Sequence, residues 1–184
     1  MKNVVLKYGL IAGVLIAAMF SITLPLCMNG TIDFSNAEWL GYSSMVLAYL
    51  AVFVGIRTYR ERHSGGTITF GRAFKVGILI TLVCSLFYVV AWQIVFWGFI
   101  PDFGDRYAAF VIDKLRESGA SATVIAAEQE KMAEFMRLYK NPLFNIGITF
   151  MEVFPVGLVV TLISAAILRK AGPTDSPATS VVAA

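Results

Sequence analysis

The sequence predicts an all-α, polytopic membrane protein: a four-helix transmembrane bundle with an external amphipathic helical hairpin. Four apolar runs, at 4–26, 40–56, 74–100 and 143–168, are the first observation. A helix needs about 20 apolar residues to cross a hydrocarbon core of roughly 30 Å, and each run is close to that length or above it. The second is a composition with 58% hydrophobic and 15% charged residues, which is unlike that of a soluble domain.

These observations predict one transmembrane domain over residues 1–170 and a tail at 171–184. The tail is rich in small and polar residues, so we expect it to be disordered. Lys2 and Lys7 lie at the start of the first run, as basic residues do at the start of a signal peptide. The run is longer than the apolar part of a signal peptide, and no cleavage site of the Ala-x-Ala kind follows it, so we interpret it as a retained helix.

Small residues form a ridge along the first helix. They recur at every fourth position, as Gly9, Gly13, Ala17 and Ser21. Such a ridge lets two helix backbones approach closely, so it predicts a helix-packing face. The favoured partner is another helix of this chain, and the alternative is a second copy.

Basic residues mark one end of the bundle. They lie at the start of the first run, after the fourth, and from the end of the second to the start of the third, as Lys2, Lys7, Arg57, Arg60, Arg62, Arg72, Lys75, Arg169 and Lys170. The first loop, 28–39, instead carries Asp33 and Glu38 and no basic residue. Because cytoplasmic loops retain Lys and Arg, both termini are predicted to be cytoplasmic.

The third connection, 101–142, has apolar residues at helical spacing. One stripe consists of Tyr107, Phe110, Val111 and Leu115, and a second of Ile125, Met132, Phe135, Met136 and Tyr139. Gly119 is a candidate helix stop, and Ser121 or Thr123 is a candidate N-cap. We expect a helical hairpin that lies on the membrane surface or caps the bundle; the alternative is a groove for a partner.

One acidic residue, Glu152, lies inside the fourth apolar run. At about 1.5 Å per residue, it is roughly 14 Å from Leu143 and so near the middle of the bilayer. An ionised carboxylate at that depth costs at least about 2.5 kcal/mol. Glu152 must therefore be paired, protonated or hydrated.

Other polar residues reach similar depths and define a candidate buried polar site. It consists of Glu152, Gln93, Thr149, Asn145, Tyr88 and Pro155. Asn145, Thr149 and Glu152 share a helix face, and Pro155 frees the carbonyl of Met151 from its helical hydrogen bond. The site is either a neutral packing centre or an ion or proton site.

The sequence predicts no catalytic residues, no metal and no cofactor. The single histidine, His63, lies in a basic, glycine-rich loop, and one histidine cannot form a histidine-rich zinc site. Cys27 and Cys84 lie at different depths, which disfavours a disulfide. No basic tract with interleaved aromatic residues indicates nucleic-acid binding.

Three segments together resemble a known family. They are Gly-Arg-Ala-Phe-Lys-Val-Gly at 71–77, Tyr-Lys-Asn-Pro at 139–142, and Glu-Val-Phe-Pro-Val-Gly at 152–157 followed by Leu-Ile-Ser-Ala at 162–165. Nearly the whole chain resembles the domain of unknown function 4199 family. The resemblance implies a small, four-helix protein of the bacterial inner membrane, and it implies no activity.

Two classes of function are consistent with these features. The favoured one is a non-enzymatic accessory or assembly component, whose partners are the lipid bilayer and either another membrane protein or a second copy. The alternative is a small ion- or proton-coupled transport element centred on Glu152, Gln93 and Pro155. A membrane enzyme ranks third, because no nucleophile and base share a depth.

Overall fold

Six α-helices make up the part of the chain that the computed structural model describes, residues 1–170. They are α1 (Lys2–Met28), α2 (Phe34–His63), α3 (Phe70–Gly98), α4 (Phe103–Glu117), α5 (Ala122–Tyr139) and α6 (Pro142–Leu168). Of these, α1, α2, α3 and α6 are long and apolar enough to cross a membrane, which confirms the predicted fold class. The predicted tail at 171–184 lies outside the described residues.

Most spanning helices extend beyond the apolar runs because polar residues cap them in the flanking segments. The side chain of Asp33 accepts a hydrogen bond from the backbone N–H of Asn36 at 2.7 Å and starts α2. Thr69 caps α3, and Asn141 caps α6 with Pro142 in its first turn. Helix α3 ends at Gly98, two residues before the predicted boundary at 100.

The bundle is centred on α2 and α3, which contact each other. Helix α1 packs on both of them, and so does α6. The central side chains are fully buried, among them Val52, Ile56, Ile80 and Val153. Burial of these apolar groups between three helices is what aligns α2, α3 and α6.

Two glycines of the small-residue ridge bring α1 against α3. A Cβ atom at Gly9 would lie 2.6 Å from Val83, and one at Gly13 would lie 2.9 Å from Phe87. Farther along, Ala17 is half-buried and Ser21 is exposed, with the Ser21 hydroxyl donating to the Ala17 carbonyl at 2.7 Å. The close approach at Gly9 and Gly13 is therefore within this chain.

A buried polar layer links α2, α3 and α6 near the middle of the bundle. The hydroxyl of Tyr49 lies 3.1 Å from that of Ser85 and donates to the Val153 carbonyl at 3.1 Å. The hydroxyls of Thr81 and Thr161 lie 2.9 Å apart. These pairings satisfy polar groups that would be costly to leave alone in an apolar core.

The start of α1, the 64–69 loop and the end of α6 form one end of the bundle, here called the basic end. The backbones of Ile68 and Lys170 exchange two hydrogen bonds, of 3.1 and 2.9 Å. The guanidinium of Arg60 donates to the Leu168 carbonyl at 3.3 Å. These contacts fasten the 64–69 loop to α6.

Helices α4 and α5 form the hairpin that was predicted between the third and fourth spans, and they lie at the opposite end of the bundle, here called the hairpin end. Gly119, with φ of +75°, turns the chain between them, and Ser121 caps α5. Helix α4 docks through aromatic rings, because Phe34 lies against Phe103 and Tyr107 at centroid distances of 5.9 and 5.6 Å. By contrast, α5 has no buried residue.

Candidate functional site

A cavity of about 350 Å³ lies between the spanning helices at the hairpin end. All four spanning helices contribute to its lining, and α4 and the end of α5 cover it. Its charged and aromatic lining residues are Phe20, Phe34, Glu38, Tyr42, Tyr88, Trp92, Phe103, Tyr107, Tyr139 and Glu152. The cavity thus combines two carboxylates with eight aromatic rings.

The two carboxylates come from different helices. Glu38 lies near the start of α2, and Glu152 lies in the first half of α6; both side chains are exposed. Within residues 1–170, Glu152 has no ion pair and accepts no hydrogen bond from a side chain. Its carboxylate therefore borders the cavity instead of being packed against a basic partner, which is the arrangement a hydrated carboxylate needs.

A separate hydrogen-bonded network lies beside the cavity, with Asn145 at its centre. The amide of Gln93 donates to the Asn145 side-chain oxygen at 2.7 Å, and the indole N–H of Trp97 donates to the Gln93 oxygen at 3.0 Å. Asn145 donates to the Tyr139 carbonyl at 3.3 Å, and the Thr149 hydroxyl donates to the Asn145 carbonyl at 2.8 Å. The network joins α3, α6 and the end of α5.

The structure thus divides the candidate polar residues into two groups and leaves one outside both. Glu152 and Tyr88 line the cavity, whereas Gln93, Asn145 and Thr149 form the network. The Gln93 amide is engaged by Asn145 and Trp97, so it does not serve Glu152. Pro155 is exposed on α6 and lines neither group.

Near Pro155, one backbone carbonyl of α6 accepts a hydrogen bond from another helix. That Pro155 leaves the Met151 carbonyl in need of a donor stays a prediction. The hydroxyl of Tyr49 donates to the carbonyl of Val153, at 3.1 Å. This contact arises because Tyr49 is fully buried between α2 and α6, on the side of α6 away from exposed Met151.

Two cavity features were missed by the sequence interpretation. Glu38 was assigned only to a loop, although its spacing of four residues from Tyr42 on a helix is a signal that the two share a face. The second feature is Trp92, whose side chain is only 7% exposed and lines the cavity.

The residues that cover the cavity keep their phenols neutral. Burial raises the pKa of Tyr107 and of Tyr139 above that of a free phenol. The guanidinium of Arg106, in the first turn of α4, lies 2.7 Å from the Asp102 carboxylate and also donates to the Met28 carbonyl at 3.1 Å. Hydrogen bonding to Arg106 lowers the pKa of Asp102. The cover is therefore uncharged where Tyr107 and Tyr139 face the cavity.

A shallower groove runs between α4 and α5. Its volume is about 480 Å³, and its lining includes Ala108, Ile112, Met132 and Met136. The rim carries an exposed ion pair, Arg116 with Asp113 at 2.8 Å. The two helices of the hairpin therefore pack on each other through small and flexible side chains. Helix α4 lines this groove on one side and covers the cavity on the other.

Known proteins give a family but no detailed counterpart. No curated protein and no solved structure matches this chain. The sequence pattern of one family, described as protein of unknown function (DUF4199), matches residues 7–170. This match includes the four spanning helices, the hairpin and every residue that lines the cavity. The chain therefore belongs to the DUF4199 family of proteins of unknown function.

Proposed function

We propose that this protein is a non-enzymatic accessory component of the bacterial inner membrane that binds a small ligand from the outer side of the bilayer. The observation that carries this proposal is the cavity, which lies at the hairpin end of the bundle. About 350 Å³ lies between the helices at the hairpin end, with polar and aromatic groups on its wall. Concave, mostly apolar sites with a few polar groups are the usual form of a small-molecule site.

The other half of the bundle supports binding over passage. A Cβ atom at Gly77 would lie 2.7 Å from Thr161 and 2.9 Å from Ile56, so α3 is in close contact with α6 and α2 there. Val52 and Ile80 are fully buried at neighbouring levels. This packing supports a ligand that enters and leaves at the hairpin end.

The distribution of charge supports the orientation. The basic end holds the arginines and lysines of the 57–75 segment, together with Arg169 and Lys170. The hairpin end carries Asp33 and Glu38 in its first connection and no base there, and the six basic residues of the 101–142 segment are offset by seven acidic ones. By the positive-inside rule, both termini are cytoplasmic and the cavity faces outward.

The lipid bilayer is the partner that the hairpin supports best. Helix α5 exposes Val124, Phe135 and Leu138 and carries charges of both signs, Lys131 and Arg137 with Glu128, Glu130 and Glu134. A helix with apolar residues on one face and charged ones on the other is typical of a membrane interface. In this arrangement α4 covers the cavity while α5 contacts the headgroup region.

Cysteine labelling tests the orientation. Asn29 and Glu61 are exposed at opposite ends of the bundle, whereas both native cysteines are buried. In intact cells we expect a membrane-impermeant maleimide to label Asn29→Cys, and to label Glu61→Cys only after the membrane is opened. The unmodified chain is the control for native cysteines, and the reverse labelling pattern would contradict the proposed topology.

Ion- or proton-coupled transport is the second candidate, and one observation favours it. Glu152 borders the cavity without a basic partner, as a carboxylate that exchanges ions or protons would. We propose the binding role first because α3 is in close contact with α2 and α6 at Gly77, between the cavity and the basic end.

Reconstituted liposomes distinguish the two candidates. For the binding role we expect neither the parent nor Glu152→Gln to conduct protons or cations, and we expect Glu152→Gln to unfold at a temperature equal to that of the parent or higher. The neutral amide removes the cost of a carboxylate at membrane depth. Flux in the parent that is lost in an equally stable Glu152→Gln protein would instead establish transport.

A further inference from the structure

We infer that the cavity takes an organic cation with an apolar body, of the quaternary or tertiary ammonium class. The inference rests on the proposed ligand-binding function and names the chemistry of its ligand. Glu38 and Glu152 hold the positive charge, and the aromatic wall surrounds the apolar substituents. Charge, aromatic geometry and size each lead to this class of ligand.

The charge of the cavity lining determines the sign of the charge that a ligand can carry. The lining includes Glu38 and Glu152 and, among residues 1–170, no lysine, arginine or histidine. A charge interaction is stronger between low-dielectric walls than in water. The cavity therefore attracts a cation and repels an anion.

The aromatic wall selects a weakly hydrated cation. Trp92 meets Phe20 and Phe103 edge to face, with ring centroids 5.2 and 5.3 Å apart, and these rings share the cavity wall with Tyr88. Indole and phenol faces attract alkylammonium groups through cation–π contacts. A cation that carries alkyl or aryl substituents also buries apolar surface there, which a hydrated inorganic ion cannot do.

Trp92 occupies a fixed place in this wall. Its side chain is 7% exposed and lines the cavity, and its indole N–H lies beside the phenol of Tyr139, which also lines the cavity. The aromatic wall is thus held in place by contacts among its own side chains.

Size and donor set disfavour an inorganic cation. A volume of about 350 Å³ is at the lower end of the range for sites that hold small organic molecules, roughly 300–1,000 Å³. Calcium needs about six to eight oxygen ligands. Residues 1–170 contain no group of three or more histidine, cysteine or acidic side chains placed to hold a metal ion.

Calorimetry on the full chain in lipid nanodiscs tests the inference with three probes of one shape. They are phenyltrimethylammonium, its neutral isostere tert-butylbenzene, and benzenesulfonate as the anion. We expect one phenyltrimethylammonium per chain, and we expect Glu152→Gln and Glu38→Gln each to weaken its binding about tenfold or more. We expect no saturable binding of benzenesulfonate.

Two glycine variants test whether the probe binds in the cavity or elsewhere on the protein. Gly41 lines the cavity, and a Cβ atom there meets nothing within 4 Å, so the position accepts a side chain and we expect that of Gly41→Leu to take up part of the cavity. Gly147 is exposed on α6, and a Cβ atom there also meets nothing within 4 Å. Gly41→Leu should abolish binding of the ammonium probe, and Gly147→Leu should bind it as the parent does.

The outcomes distinguish the ligand class from the binding function. If tert-butylbenzene bound as tightly as the ammonium probe and only Gly41→Leu prevented it, the cavity would bind ligands but the inferred cation class would be wrong. Benzenesulfonate binding would also overturn that class. If the parent and Gly41→Leu were indistinguishable toward all three probes, the inference would fail together with the proposed function.

Discussion

Gly157→Val is expected to prevent assembly of the native bundle or to lower its thermal stability strongly. A Cβ atom at Gly157 would lie 2.5 Å from Thr81 and 2.6 Å from the ring of Tyr49. Both neighbours are fully buried, so neither side chain can swing into solvent. Overpacking of a core costs about 1–3 kcal/mol, and we expect the upper end or more because two helices would have to move.

The measurement is the thermal midpoint of the detergent-solubilised protein, read together with its elution as a single species. Gly147→Val is the matched control, because Gly147 lies on the same helix, is exposed and has open space at its Cβ position. It carries the same change in backbone entropy and helix propensity. An equal loss in the two variants would show that α6 does not pack on α2 and α3 through Gly157.

Asn145→Leu is expected to loosen the hairpin from the bundle and to lower stability by about 2 kcal/mol. Asn145 is fully buried and connects Gln93 on α3 with the Tyr139 carbonyl at the end of α5. Leucine has a similar volume but leaves those partners unpaired. Hydrogen bonds between membrane helices are individually modest, so the effect depends on several being lost together.

Hydrogen exchange at the backbone amides of residues 139–141 and 143–145, together with the thermal midpoint, reports this loss. Asn36→Leu is the control for the chemical change, because Asn36 is exposed and its side chain forms no hydrogen bond within residues 1–170. Adding Gln93→Leu to Asn145→Leu should cost less than the two single effects combined, since both variants remove the same bond. Strict additivity would argue against the 2.7 Å contact of Gln93 with Asn145.

The candidate site was only partly predictable from the sequence. Glu152 stood out because a carboxylate in an apolar run has few tolerable environments. Asn145 and Gln93 were selected by depth, and the structure places them in one network. Depth did not show that Gln93 bonds to Asn145 in preference to Glu152. Glu38 was overlooked because a charge near a helix start is usually solvated.

The sequence by itself determined the all-α class, the four spans and the hairpin with its turn at Gly119, and it limited the cap of α5 to Ser121 or Thr123, of which the structure shows Ser121. These features follow from local free energies: the transfer of a segment into lipid, or the capping of a helix end, depends on residues within that segment.

Only the tertiary structure decided that Glu38 and Glu152 share a cavity and that Asn145 faces Gln93. Which face of a helix meets its neighbour depends on packing between segments distant in the chain, such as Gly157 against Tyr49 and Gly13 against Phe87. A hydropathy pattern carries no information about the rotation of one lipid-exposed helix against another. The cavity is therefore a property of how the helices pack, not of any one of them.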